Sequence, residues 1–157
     1  MQKWYTVKVK YTKQLEDGRL KRVTEPYLFS AINFTDAETR THKEVGESVR
    51  GEFDVTSIAL VDYADIFHYE DADVWYKCKV AYLSVDEESG KEKRVNNNFL
   101  VTAHNVKEAY VRIDESLKEM MVSYETPTIS ETPIVDIFPA EENLDVELSR
   151  VSAEEAN

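Results

Sequence analysis

The chain has one cysteine, three histidines, four glycines and four prolines among 157 residues. A single cysteine, Cys78, allows no intrachain disulfide and suggests a reducing compartment. His42, His68 and His104 have no second His or Cys at ligand spacing. A structural zinc site takes four such ligands, so none is expected. With so few glycines there is no phosphate-cradling loop, and neither a nucleophile elbow nor HExxH occurs. No catalytic residue and no cofactor is expected. Nowhere do about 18 apolar residues run together, and Lys3, Lys8 and Lys10 break the N-terminal segment. The expectation is a soluble cytoplasmic protein without a membrane partner. Basic residues are also scarce, 19 against 31 acidic ones, for a net charge of −12. Phosphate backbones are bound by Lys and Arg, so this balance disfavours tight non-specific nucleic-acid binding, although a local basic face can survive on an acidic protein.

What the chain does have is apolar content, 42% of its residues, arranged almost twice over. Trp4–Tyr11 (WYTVKVKY) returns as Trp75–Tyr82 (WYKCKVAY), and Gly18–Val23 returns as Gly90–Val95. Tyr27–Asn33 returns as Phe99–Asn105, and Asp65-Ile66-Phe67 as Asp136-Ile137-Phe138. Alternation puts Tyr5, Val7, Val9 and Tyr11 on one face of a first strand, and Tyr76, Cys78, Val80 and Tyr82 on its counterpart. Asp17-Gly18 and Ser89-Gly90 are tight-turn pairs. Second strands span roughly 20–32 and 92–104, with Pro26 marking a bulge or an edge.

Asn33 and Asn105 are helix N-caps, with Asp36 and Glu108 placed to reach back to the cap's N–H; Thr35 with Glu38 is a competing start. Ala37, Thr41, Val45 and Val49 form an apolar stripe, mirrored by Ala109, Ile113, Leu117 and Met121. A long third strand closes each copy, at 53–67 and 124–138, the second made irregular or an edge by Pro127 and Pro133.

The fold class is therefore α+β: a tandem duplication of a ββαβ unit with local strand order 2-1-3. Three strands and one helix bury little on their own. The two repeats, 3–69 and 74–138, are expected to share one core in a single pseudo-twofold domain over 1–138. Residues 139–157 carry six acids and one base, Arg150, and read as an acidic, flexible tail or short surface helix.

Two constellations could carry chemistry. Trp4 and Lys8 alternate with the Tyr/Val face, as do Trp75 and Lys79, with Lys21, Arg22, Lys93 and Arg94 on the neighbouring strands. Rings interleaved with cations can stack bases and touch phosphates. The simpler reading packs the tryptophans against the other repeat and leaves the lysines to keep the sheet soluble. Asp65 and Asp136 recur beside Ile-Phe and would, if paired, share a proton. A strand-end aspartate capping nearby backbone explains them more simply. Glu70, Asp71 and Asp73 lack the glycine and terminal glutamate of a calcium loop and read as a solvated linker.

At Trp4–Tyr11, at Glu25-Pro26-Tyr27-Leu28 and at Asn33-Phe34-Thr35-Asp36-Ala37-Glu38, the chain resembles a domain-of-unknown-function family. That family comprises small α+β proteins of gut-dwelling Bacteroidetes and their phages, with no established activity. The resemblance covers most of the first unit and extends through the second. It implies a small bacterial or phage cytoplasmic protein and carries no catalytic residue over.

The leading expectation is a non-catalytic binding module, homo-oligomeric through open strand edges, taking a protein or small anionic ligand between the repeats. A single-stranded nucleic-acid binder using the Trp/Lys face is the alternative. An unrecognised enzyme using Asp65 and Asp136 comes third.

Overall fold

The computed structural model describes residues 1–140. The alternating segments form the expected hairpins: β1 (Lys3–Gln14) with β2 (Leu20–Ala31), and β5 (Val74–Val85) with β6 (Glu92–Ala103). Gly18 and Gly90 close them at φ +85° and +71°, a left-handed conformation that glycine adopts without a Cβ penalty. The helices are α1 (Phe34–Ser48) and α2 (Val106–Ser116). After them come β3 (Phe53–Val61) and β4 (Asp65–Phe67) in the first half, and β7 (Tyr124–Glu131) and β8 (Ile137–Phe138) in the second. The fold is α+β, with two helices and two four-stranded sheets.

The third strands depart from expectation. Each breaks in two, and the last piece joins the other sheet. The sheet orders are β3-β1-β2-β8 and β4-β6-β5-β7. The chain thus divides into one unit holding residues 1–62 and 133–140, and a second holding residues 63–132. The 2-1-3 order is present in both, but a short parallel strand is added beside β2 and β6. Its backbone satisfies groups that a bare edge would leave to water. Val135 N donates to Pro26 O (2.9 Å) and Leu28 N to Asp136 O (3.1 Å), while Ala64 N donates to Asn98 O (2.8 Å). Pro26 stays within β2 opposite Lys8, and its missing N–H costs nothing because the parallel ladder begins two residues later, at Leu28.

β3 and β7 are edge strands, each with one register slip against its neighbour, between Lys8 and Val9 and between Lys79 and Ala81. Thr56 and Pro127 occupy these irregular stretches, so Pro127 sits where no ladder donor is needed.

Both helices start as expected. Asn33 accepts from Asp36 N and Asn105 from Glu108 N, each at 2.8 Å. The returning carboxylates reach one residue further than a capping box, Asp36 to Ile32 N and Glu108 to His104 N, each at 2.9 Å. Ala37, Thr41 and Val45 are buried on α1, and Ala109 and Ile113 on α2. Met121 breaks the stripe: α2 ends at Ser116, and Met121 is 96% exposed.

The buried residues form two clusters rather than the one expected. Tyr5, Val7, Val9, Tyr27 and Phe29 with α1 make the first, joined by Phe138 from β8. Tyr76, Cys78, Val80, Phe99 and Val101 with α2 make the second, joined by Phe67 from β4. The exchanged strands bring the extra aromatic rings: Phe138 stacks on Phe29 (centroids 4.6 Å apart) and Phe67 on Phe99 (6.1 Å). Pro139 and Ala140, assigned to the tail from sequence, are buried; the rest of the tail lies outside the described residues.

Candidate functional site

The residues of the Trp/Lys surface do not form one exposed face. Trp75 is only 5% exposed and its ring stacks on His68 at 5.5 Å. Trp4 is half-buried. Burial removes Trp75 as a platform for bases. Lys8 and Lys79 are exposed on the face away from the helices, and among the described residues neither they nor Lys10 and Lys77 form an ion pair. Lys21 and Lys93 are exposed but pair in register with Lys13 and Ser84, on the opposite side of the sheet from Lys8 and Lys79. Of each dibasic pair, only the arginine shares the lysine face, because adjacent strand residues point oppositely. Arg22 is bound to Asp54 (3.1 Å) and Thr12 (3.3 Å), whereas Arg94 lies 3.9 Å from Glu125.

Asp65 and Asp136 each accept from the following isoleucine N–H, at 2.8 and 2.9 Å. Asp65 starts β4, Asp136 immediately precedes β8, and the two belong to different units. Cys78 is fully buried, and burial pushes its thiol up to about 12. Such a thiol is a small hydrophobe, not a nucleophile.

The densest polar constellation was not foreseen. Glu108, on the first turn of α2, receives His104 N (2.9 Å) and His104 Nδ1 (2.7 Å). His104 Nε2 faces the carbonyl of Asp71 at 2.8 Å. Arg112, one turn further along α2, donates to Asp71 Oδ2 (2.7 Å) and Thr102 O (3.0 Å) and lies 3.3 Å from Glu108 Oε1. Its guanidinium covers the ring of Tyr69 at 4.7 Å. Asp71 is therefore a structural partner, not the solvated linker residue expected. The Arg112 hydrogen bond holds the Asp71 carboxyl low and the His104 backbone N–H holds the Glu108 carboxyl low, while Glu108 above all holds the His104 imidazole high.

Asp71, His104 and Glu108 bring one ligand atom each to within 4.8 Å of one another, a spacing that suits a divalent cation. The arginine decides against that use. Arg112 already places a positive charge against both carboxylates, and both imidazole nitrogens face acceptors. The group is a closed clamp between α2 and the segment entering β5.

Arg40 holds the matching place in the first unit, 72 positions earlier. It donates to Ser30 O, to Pro139 O at 3.0 Å and to Phe138 O at 3.4 Å, with its guanidinium 5.7 Å from the Phe29 ring centre. Its recurrence at the repeat offset was the signal available in the sequence. The clamp acid Asp71, however, is distant in sequence and could not be paired by spacing.

One open cleft of about 410 Å³ lies in the second unit, lined by Ala81, Leu83, Arg94, Ser123, Tyr124 and Glu125.

Each α+β unit is completed by a short parallel strand beside its second long strand. The chain belongs to the family of the domain of unknown function DUF4494, whose model matches residues 3–140. No curated protein matches it. Among the described residues, no helix is long and apolar enough to cross a membrane.

Proposed function

We propose that the protein is a non-catalytic interaction module of bacterial or phage cytoplasm that self-associates through β3. The observation that carries this reading is the contrast between the two long edge strands, β3 and β7. β7 is guarded by Glu125, Pro127 and Glu131. In β3 the stretch from Thr56 to Val61 holds neither charge nor proline. Leu60 is 52% exposed and pairs in register with Tyr5, whose ring meets Phe34, itself 53% exposed, at 5.0 Å. Natural edges are normally blunted by charge, proline or cover, and an unblunted one recruits another strand. A second β3 running antiparallel is the simplest occupant: it satisfies the open backbone groups on both copies and covers both Leu60 side chains.

Light scattering at micromolar concentration should give a mass above the 18.2 kDa monomer. Ala59→Lys with Leu60→Lys should return it to the monomer. A wild-type protein that stays monomeric at every concentration removes the reading.

The second reading, a single-stranded nucleic-acid binder, keeps the support of Lys8, Lys10, Lys77 and Lys79 but loses the stacking role of Trp75. It requires labelled single strands to bind at low salt and to be released when the four lysines become glutamine.

A further inference from the structure

The corner of the second unit that holds the cleft corresponds to a corner of the first built from different residues, and the differences can be named. In the first unit, Lys10 faces Asp54 across the β1–β3 pair, and Thr12 faces Arg22 across β1–β2. Arg22 binds the Asp54 carboxylate and the Thr12 hydroxyl. An ion pair and a hydrogen bond therefore join the side chains at that corner. In the second unit the same register positions hold Ala81 opposite Glu125 and Leu83 opposite Arg94. Alanine leaves out the lysine chain, and leucine offers Arg94 no hydroxyl. The guanidinium of Arg94 is left with Glu125 at 3.9 Å, both side chains more than half exposed. An exposed pair at that distance holds itself together weakly. The result is an apolar strip flanked by one loosely paired cation and anion, in a volume within the small-molecule range.

We propose that this cleft binds a small zwitterion with an apolar side chain, of the α-amino-acid class. The ligand carboxylate takes the planar guanidinium of Arg94, which presents paired donors suited to it. The ligand ammonium takes the Glu125 carboxylate, and the side chain lies over Ala81 and Leu83. Complementarity selects the class: a plain carboxylate meets repulsion from Glu125 and a plain amine meets repulsion from Arg94, whereas a zwitterion matches both.

The test is a titration of the isotope-labelled full chain with L-leucine, followed by amide chemical shifts. 4-Methylpentanoate, which lacks the ammonium, and isopentylamine, which lacks the carboxylate, serve as the comparison ligands. Leucine should give saturable shifts centred on Ala81, Leu83 and Ser123, with affinity about tenfold better than either comparison ligand. Arg94→Gln should weaken leucine binding by about tenfold. Leu83→Thr, which installs the first unit's residue at an exposed strand position, should weaken leucine binding severalfold while the remaining amide spectrum stays native. Absence of saturable shifts, equal binding of leucine and 4-methylpentanoate, or full binding by Leu83→Thr would overturn the proposal.

Discussion

His104 and Glu108 meet twice, through backbone N–H at 2.9 Å and ring Nδ1 at 2.7 Å, while the other ring nitrogen faces the Asp71 carbonyl. Both ring nitrogens thus have acceptors, and only the imidazolium can donate to both. The fold raises the His104 pKa above its ordinary 6.5, chiefly through Glu108. A raised pKa means the protonated form favours the folded state, so the contribution is complete below the unfolded value and fades as pH rises through the folded one. Glu108 runs the other way: its pKa is lowered from 4.5, so its contribution is present above that value and lost as pH falls through the folded one.

The melting temperature of wild type minus that of His104→Gln should therefore be largest at mildly acidic pH, above the Glu108 range. It should shrink once pH passes the raised histidine value. A difference that is flat from pH 5 to about 8 would show that the imidazolium is not what the clamp uses.

Arg40 is the seal on the exchanged strand β8. Replacing it with methionine leaves the carbonyls of Ser30, Phe138 and Pro139 without its donors, at a cost of about 1–3 kcal/mol. Hydrogen exchange should accelerate at Leu28 and Val135, whose amides bind Asp136 O and Pro26 O across the seam between β2 and the approach to β8, before it accelerates in β1. Uniform acceleration throughout the unit would mean that Arg40 acts on global stability alone.

Cys78 is fully buried with a thiol pushed up to about 12. An aromatic disulfide reagent at neutral pH should label it only as fast as the protein opens, and urea should bring labelling to completion. Rapid labelling of the native protein would contradict its placement in the second core.

Ile113 is the largest fully buried residue of α2 and packs into the same cluster as Cys78 and Val101. Ile113→Ala should cost about 2–5 kcal/mol, read as a lowered denaturant midpoint with an unchanged slope. Met121→Ala, on a side chain in open solvent, should fall within about 0.5 kcal/mol of wild type.

Period and punctuation in the chain were sufficient for the local elements. Alternation in Tyr5–Tyr11 and Tyr76–Tyr82 set which faces are buried, because a strand residue's face follows from parity alone. Asn33 and Asn105 set both helix starts through bonds made within three residues. Gly18 and Gly90 set both turns. These decisions involve neighbours in sequence, so they can be read there.

The destination of the last strand pieces was decided only in three dimensions. Asp65-Ile66-Phe67 and Asp136-Ile137-Phe138 look the same whether they continue their own sheet or join another, since the ladder they enter is formed by distant backbone. The same holds for Trp75, whose burial depends on His68 and its surroundings rather than on its strand, and for Asp71, claimed by an arginine 41 residues away. The cleft follows the same rule: Ala81 and Leu83 are unremarkable in the sequence. They matter because register sets them opposite Glu125 and Arg94, where small and apolar side chains leave two charges loosely joined.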